Sequence, residues 1–259
     1  MRIVRFALEG RTGYGILDGE KINVLWATPY DGGWENTTGE ILTLGEVQLL
    51  APCEPSKIVA LGLNYFDHAA EFGRAVPDEP LIFLKPSTSV IGPEDDIVYP
   101  KMTRRVDYEA ELAVVIGRAC RHVREEAFRD YVLGYTAIND VTARDLQKKD
   151  GQFTRSKSFD TFAPLGPWIE TEIPDPDNLL VEAYLNGERR QHSSTANMVF
   201  PVATLVAFIS RIMTLLPGDL IATGTPSGIG PMREGDVVEV RVQGIGSLRN
   251  RVVAERVTE

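Results

Sequence analysis

The sequence predicts a mostly-β member of the α+β class, and three observations carry that expectation. Short runs rich in β-branched and aromatic residues recur along the whole chain. FPVATLVAFISRIMTL is the longest segment whose apolar positions fit a 3.6-residue period, so it is the main helix candidate. The strands do not alternate regularly with helices, which argues against a doubly wound parallel sheet.

The first fifty residues read as a small β unit. RIVRFAL and YGILDGEKINVL are strand-like, with Asp18 and Gly19 as a turn signal inside the second run. DGGWENTTGE is polar and glycine-rich and reads as a loop, and ILTLGEVQLL follows as a strand. Pro52 and Pro55 then mark a boundary. The expected division is a small N-terminal unit over residues 1–54 and a main unit over residues 55–259.

From Lys57 the pattern changes. KIVALGL is a short apolar strand, and NYFDHAAEFG reads as one or two helical turns with Asn64 as N-cap and Gly73 as stop. LIFLKP is a strand ended by Pro86. VDYEAELAVVIG is a strand whose last residues are apolar on both faces, as in a strand covered on both sides. EEAFRDYVLGYTAIND reads as a helical turn leading into a strand, and VTARDLQKKD as a short helix with a basic end. LLVEAYLNGERRQ is a hairpin around Asn186 and Gly187. In FPVATLVAFISRIMTL, Pro201 is tolerated in a first turn. DLIATGTP, DVVEVRVQG and SLRNRVVAE close the chain as strands joined by glycine turns.

A chain of 259 residues can bury a substantial core. Its net charge of -10 argues against nucleic acid or an anionic membrane as the main partner. A small anionic substrate stays compatible, because a metal or a basic cluster can reverse the field inside a pocket. Cys53 and Cys120 form neither a metal spacing nor a disulfide framework and read as buried thiols. MRIVRFALEG lacks the apolar stretch of a secretory signal, and no apolar run approaches the roughly 20 residues that span a bilayer. A cytoplasmic enzyme or binding protein is the expectation.

Glu109 and Glu111 raise the chemical question. In an extended chain they share a face, about 7 Å apart at a rise of about 3.3 Å per residue. Two like charges at the mouth of a buried strand repel and lose hydration. A metal ion, a basic side chain or open solvent must compensate them. Asp140, between GYTAIN and the helix VTARDLQ, is the best third ligand, and its alternative role is a plain N-cap. Three carboxylates without Cys or His spacing favour a hard cation, Mg²⁺ or Mn²⁺ rather than Zn²⁺.

His68 and Glu71 lie three apart and share a helical face, so the carboxylate can orient the imidazole as a base; the alternative is a solvated face. His122 and His192 sit in charge-rich surroundings and read as exposed. Arg155 and Lys157 lie in the loop-like GQFTRSKSFDTFAPLGPW, where a lone lysine is ordinarily solvated. IATGTPSGIGP follows a strand but lacks both nucleotide-loop spacings. It is either a tight connection or a cradle of backbone N–H groups for a small anion.

These pieces, in this order, resemble the fumarylacetoacetate hydrolase family. The matching stretches are GLNYFDHAAEFG, PLIFLKPSTSVIGP, VDYEAELAVVIG, GYTAINDVTARDLQ, RSKSFDTFAPLGPW, LNGERRQ and PGDLIATGTPSGIGP, and the resemblance covers nearly everything from Ser56 to about Val242. Earlier residues match only as the small N-terminal β unit of many bacterial members. The resemblance implies a mixed β-sandwich roll with short helices, usually a homodimer. It implies Mg²⁺ or Mn²⁺ on Glu109, Glu111 and Asp140, and a water-activating dyad of His68 and Glu71 on a short mobile helix. Lys157 falls on the family's K-S-F lysine. Gln147 and Thr225 fall on substrate contacts, Thr225 toward the substrate carboxylate. With the ion, Lys157 and Arg155 would make the pocket locally positive, Arg155 as a further substrate contact.

The substrates so implied are 2-oxo acids or their enols, which chelate a divalent ion that stabilises an enolate. Acylpyruvate-type hydrolysis, oxaloacetate-type decarboxylation and isomerisation of a hydroxy-dienoate, as in aromatic catabolism, all use this apparatus. A keto-acid-binding protein without turnover is the reading from another class.

Overall fold

The computed structural model describes residues 1–31, 34, 36–71, 73 and 75–256. Its largest element is a mixed twelve-stranded sheet. The sheet runs from Thr37–Thr43 through Lys21–Leu25, Arg11–Asp18 and Arg2–Leu8 to Ala163–Glu170. It continues through Val132–Asn139, Ala110–Ile116, Leu220–Ala222 and Lys57–Gly62 to the edge strand Leu81–Pro86. A five-stranded sheet orders Glu188–Ser194, Leu180–Leu185, Val237–Val242, Gly246–Ala254 and Asp96–Tyr99. A three-stranded sheet joins Thr142–Ala143, Val106–Tyr108 and Gly230–Met232. The expected mixed β-sandwich with short helices is what forms.

Ala110–Ile116 shows why the sheets stack. Leu112, Val114 and Ile116 belong to one core, with Val181 and Val240 of the five-stranded sheet and Leu205, Val206 and Ile209 of the helix Val202–Ile212. Ala113 and Val115, on the opposite face, pack with Ile58, Ala60 and Ile169 in a second core. Alternation sends successive side chains to opposite faces. Both faces are covered here, so the strand needs apolar residues throughout. Burying side chains of this size stabilises by roughly 1.5–3 kcal/mol each.

The N-terminal strands extend the main sheet. Arg2 pairs with Glu170 and Ile3 with Ile169, and the terminal ammonium lies 2.7 Å from Glu170 Oε1. A satellite core of Val4, Phe6, Leu17, Ile22, Val24 and Leu42 sits beneath them.

Several local expectations change. DGGWENTTGE is only partly a loop: Thr37–Thr43 is a strand on Lys21–Leu25, while residues 32, 33 and 35 lie outside the described residues. The strand predicted over residues 106–117 breaks at Glu109, and Val106–Tyr108 turns into the three-stranded sheet. Asn64 is no helix cap. Its amide donates to the Thr223 carbonyl at 2.8 Å and accepts from Phe200 N at 2.9 Å, tying the segment before Phe66–Glu71 to two distant loops.

Candidate metal and active site

The break at Glu109 builds the site. Ala110–Ile116 and Val132–Asn139 pair within the large sheet, and both chains then cross to the three-stranded sheet. Glu109 and Asp140 are the two corner residues. Asp140 N donates to the Glu109 carbonyl at 2.9 Å, and Glu109 N donates to Asn139 Oδ1 at 2.9 Å. Those bonds set the two carboxylates side by side. Glu111 lies two residues further along the strand, on the same face. One oxygen from each of Glu109, Glu111 and Asp140 lies within 4.8 Å of the others, and all three residues are buried.

Basic groups meet two of the three. Lys157 Nζ donates to Glu109 Oε2 at 2.6 Å and also to Asp140. Lys85, fully buried on the edge strand, donates to the other Asp140 oxygen. Arg144 donates to Glu109, to Asp107 at 2.9 Å and to Gln147 Oε1 at 2.6 Å. Burial opposes charge on Glu109, but Lys157, Arg144 and His68 outweigh it and hold the carboxyl well below the usual range. Burial also opposes charge on Lys157, and Asp140 and Glu109 outweigh it, so the ammonium persists.

Glu111 is different. Among the described residues it has no ion pair; Gly224 N donates to it at 2.8 Å. Burial, then Asp140 and Glu109, push its carboxyl well above the ordinary value. A buried carboxylate facing two others is expensive without a cation. The donor set is oxygen only, and its span suits one small ion. The residues therefore fit Mg²⁺ or Mn²⁺, the pair expected from the sequence.

His68 is buried on the helix Phe66–Glu71, with Nδ1 3.4 Å from Glu71 Oε2. Burial lowers its pKa against the pull of Glu109 and Glu71, which favours the neutral, proton-accepting imidazole. Two amides of the glycine-rich segment serve these acids. Gly224 N holds Glu111, and Gly228 N donates to Glu71 at 3.2 Å. Both glycines have positive φ, +97° and +93°, and a Cβ at Gly228 would lie 2.3 Å from the Arg190 carbonyl oxygen.

A cavity of about 610 Å³ opens onto this cluster. Of the residues expected to act, it is lined by His68, Glu109, Gln147, Lys157 and Thr225. Thr225 donates its one hydroxyl hydrogen to the Ala110 carbonyl at 2.9 Å and accepts from Gln191 Nε2 at 2.9 Å. A substrate carboxylate would have to compete for that donor. Lys157 is no solvated loop residue: it ends the helical turn Thr154–Lys157 and is buried. Arg155 is not brought to the site. Its half-exposed guanidinium pairs with Asp150 and lines a separate cavity of about 540 Å³. Arg155 and Lys157 lie two residues apart on a helical turn, a spacing at which side chains do not share a face.

Arg144 takes the place expected of Arg155. It lies three residues before Gln147, so helical spacing already put the two on one face. Lys85 and Asp107 were also missed. Their only sequence signal is a charge inside an apolar strand. His122 and His192 are exposed, and Cys53 and Cys120 are free and buried.

Comparison with known proteins decides the family. The model described as fumarylacetoacetate (FAA) hydrolase C-terminal matches residues 57–253. The chain belongs to the fumarylacetoacetate hydrolase family. A second model, Rv2993c-like N-terminal, matches residues 1–52. Among solved family structures, a 5-carboxymethyl-2-hydroxymuconate delta-isomerase from Mycobacterium smegmatis is 43% identical, with a TM-score of 0.92 over 98% of this chain and 100% of that one. Maleylpyruvate hydrolase from Sphingobium sp. SYK-6, solved with manganese(II) and pyruvate, is 32% identical, with a TM-score of 0.81 over 99% of this chain and 100% of that one. Oxaloacetate tautomerase fahd2 of Xenopus laevis is 45% identical over 82% of this chain and 70% of that protein. Among the described residues, no helix is long and apolar enough to cross a membrane.

Proposed function

We propose that the chain is a divalent-metal-dependent enzyme acting on a 2-oxo acid or its enol, cleaving a C–C bond by acylpyruvate-type hydrolysis or oxaloacetate-type decarboxylation. The observation that carries this reading is convergence: three buried carboxylates, a His–Glu dyad and the cations Arg144 and Lys157 cluster together, and one cavity reaches the cluster at His68, Glu109, Arg144 and Lys157. Glu109, Glu111 and Asp140 would hold Mg²⁺ or Mn²⁺. When bound, the ion supplies Lewis-acid polarisation of the chelating keto and carboxylate oxygens.

The chain's own residues supply the rest. Lys157 and Arg144 place fixed positive charge beside the carboxylate cluster, where negative charge develops on the substrate. His68, buried and neutral, takes a proton from water, and Glu71 orients the ring and steadies the imidazolium. Glu71 is in turn held by Gly228 N. Phe83 and Phe153 wall the cavity with apolar surface that excludes bulk water. Gln147, oriented by Arg144, offers its amide N–H groups to the substrate.

A second reading has its own support. The M. smegmatis isomerase and the X. laevis tautomerase, both named for moving a proton, are more alike in sequence than the Sphingobium hydrolase. In that case His68 shuttles a substrate proton instead of activating water. The protein is assayed with acylpyruvates, oxaloacetate and hydroxymuconate-type dienes, with Mn²⁺ and with excess chelator. Cleavage products support hydrolysis or decarboxylation, and a shifted double bond or tautomer supports the second reading. Turnover undiminished by chelator refutes both. We also propose a cytoplasmic homodimer, which light scattering and fractionation test.

A further inference from the structure

We infer that Asp107, behind the cavity wall, is a positioning residue for substrate binding: by gripping Arg144 it fixes the plane of that guanidinium and, through it, the group that Gln147 turns to the ligand. This rests on the 2-oxo acid reading above and adds a residue that touches no substrate itself.

Asp107 lies in Val106–Tyr108, the middle strand of the three-stranded sheet, and pairs with Thr142. The same register brings Arg144 N to the Arg105 carbonyl at 2.8 Å, so the helix Arg144–Asp150 starts beside that strand. Asp107 is fully buried and forms no part of the cavity lining. A buried carboxylate needs partners, and two arginines supply them. Arg105, half-exposed, donates through Nε to Oδ1 at 2.8 Å and through Nη2 to Oδ2 at 3.1 Å. Arg144 Nε donates to Oδ2 at 2.9 Å.

An arginine carries five N–H donors in a rigid plane. In Arg144, Nε goes to Asp107, Nη1 to Gln147 Oε1 at 2.6 Å, and Nη2 to Glu109. Acceptors on all three nitrogens leave the plane no freedom to turn. One donor on each terminal nitrogen is left over, and Arg144 lines the cavity. Arginine accepts no hydrogen bond, so Gln147 must give it the carbonyl oxygen. The Gln147 amide nitrogen is thereby kept for the cavity, where it offers donors to an anionic ligand.

The competing arrangement shows what Asp107 prevents. Without its charge, Glu109 is the one carboxylate left to Arg144 among the described residues. Guanidinium and carboxylate favour a two-pronged pairing. Swinging into it would take Arg144 off Gln147 and spend a second donor on Glu109. Asp107 holds Nε back and keeps the contact with Glu109 to one prong.

The test is calorimetric titration of oxalate, a planar mimic of the pyruvate enolate, into protein saturated with Mn²⁺. Asp107→Asn keeps the shape and removes the charge. It should weaken oxalate about tenfold or more, the scale of one charge-assisted hydrogen bond. In an Arg144→Met background it should cost nothing further, because the group through which it acts is gone. Arg105→Met removes the other partner of the same carboxylate and should leave oxalate affinity nearly unchanged. A second measurement needs no variant at Asp107 to fold. In ¹⁵N-arginine spectra of the wild type, the Arg144 Nε–H signal, assigned by its loss in Arg144→Met, should exchange with solvent far more slowly than those of exposed arginines. Unchanged or tighter oxalate binding in Asp107→Asn, the result of plain charge neutralisation, overturns the assignment. So does an equal loss in the Arg144→Met background, which marks a role in the fold alone, or a fast-exchanging Nε–H. Failure of oxalate to bind the metal-loaded wild type overturns the 2-oxo acid reading instead, and the Nε–H signal then decides the hold on Arg144 by itself.

Discussion

Replacing Glu111 by Gln should stabilise the metal-free protein while removing its response to Mn²⁺. Glu111 is buried, its pKa is raised by burial and then by Asp140 and Glu109, and no cation touches it among the described residues. At a separation of 4.8 Å, two unit charges repel by about 3.5 kcal/mol for an effective dielectric of 20. Glu111 faces two such neighbours, partly offset by Lys157, so a net gain of about 1–3 kcal/mol is the reasonable scale. Gln keeps an oxygen for Gly224 N and removes only the charge. The melting temperature of chelator-treated protein should rise by a few degrees, at about 2–4 °C per kcal/mol for a chain of this size. The pH dependence has a definite sign. A raised folded-state pKa means that the stability is present below the ordinary value of 4.5 and is lost as pH rises through the folded pKa. Metal-free wild type should therefore lose stability above about pH 4.5 relative to the variant. Saturating Mn²⁺ at about 100 times its Kd should stabilise the wild type by about 2.7 kcal/mol and the variant by far less. Differential scanning calorimetry with and without Mn²⁺ measures all of this. A metal-free variant that melts below the wild type, or one that still gains from Mn²⁺, refutes the reasoning.

His68→Asn should lower turnover by about 10²–10⁴-fold while Mn²⁺ affinity, read by electron paramagnetic resonance, stays unchanged. Because burial lowers the pKa of His68, the acid limb of the wild-type rate profile should lie below pH 6.5. Arg144→Lys should cut kcat/KM by about tenfold or more and cost about 1–3 kcal/mol in urea unfolding, since one ammonium cannot serve Asp107, Glu109 and Gln147 together. The Cys53 thiol, pushed up to about 12 by burial from 9.0, should resist thiol reagents at pH 8 until the protein unfolds. Its raised pKa also means that native stability falls as pH climbs from about 9 toward 12, by up to about 1.4 kcal/mol per unit, an effect absent in Cys53→Ala.

Local order decided much that the sequence makes legible. The hairpin at Asn186 and Gly187 forms where expected, because both residues adopt the positive φ that its two-residue turn demands. The uninterrupted apolar run after Glu111 announces a strand with two covered faces. The E-x-E spacing places two carboxylates on one side of an extended chain, and H-x-x-E places His68 beside Glu71, because both periods are backbone properties. What local order left open was settled by long-range contact. The corner at Glu109 exists because Val106–Tyr108 finds partners in Thr142–Ala143 and Gly230–Met232, which are distant in sequence. That corner draws Asp140 to the glutamates and gives it Lys85 from a strand 55 positions away. Arg155 and Lys157 are indistinguishable as charges in a loop-like stretch; the packing of one helical turn sends Lys157 inward and leaves Arg155 with Asp150. Sequence periodicity thus names side chains that share a face. Which charged groups face each other across a cavity depends on strand pairing and burial, since a charge can be desolvated only where the folded chain brings it a partner.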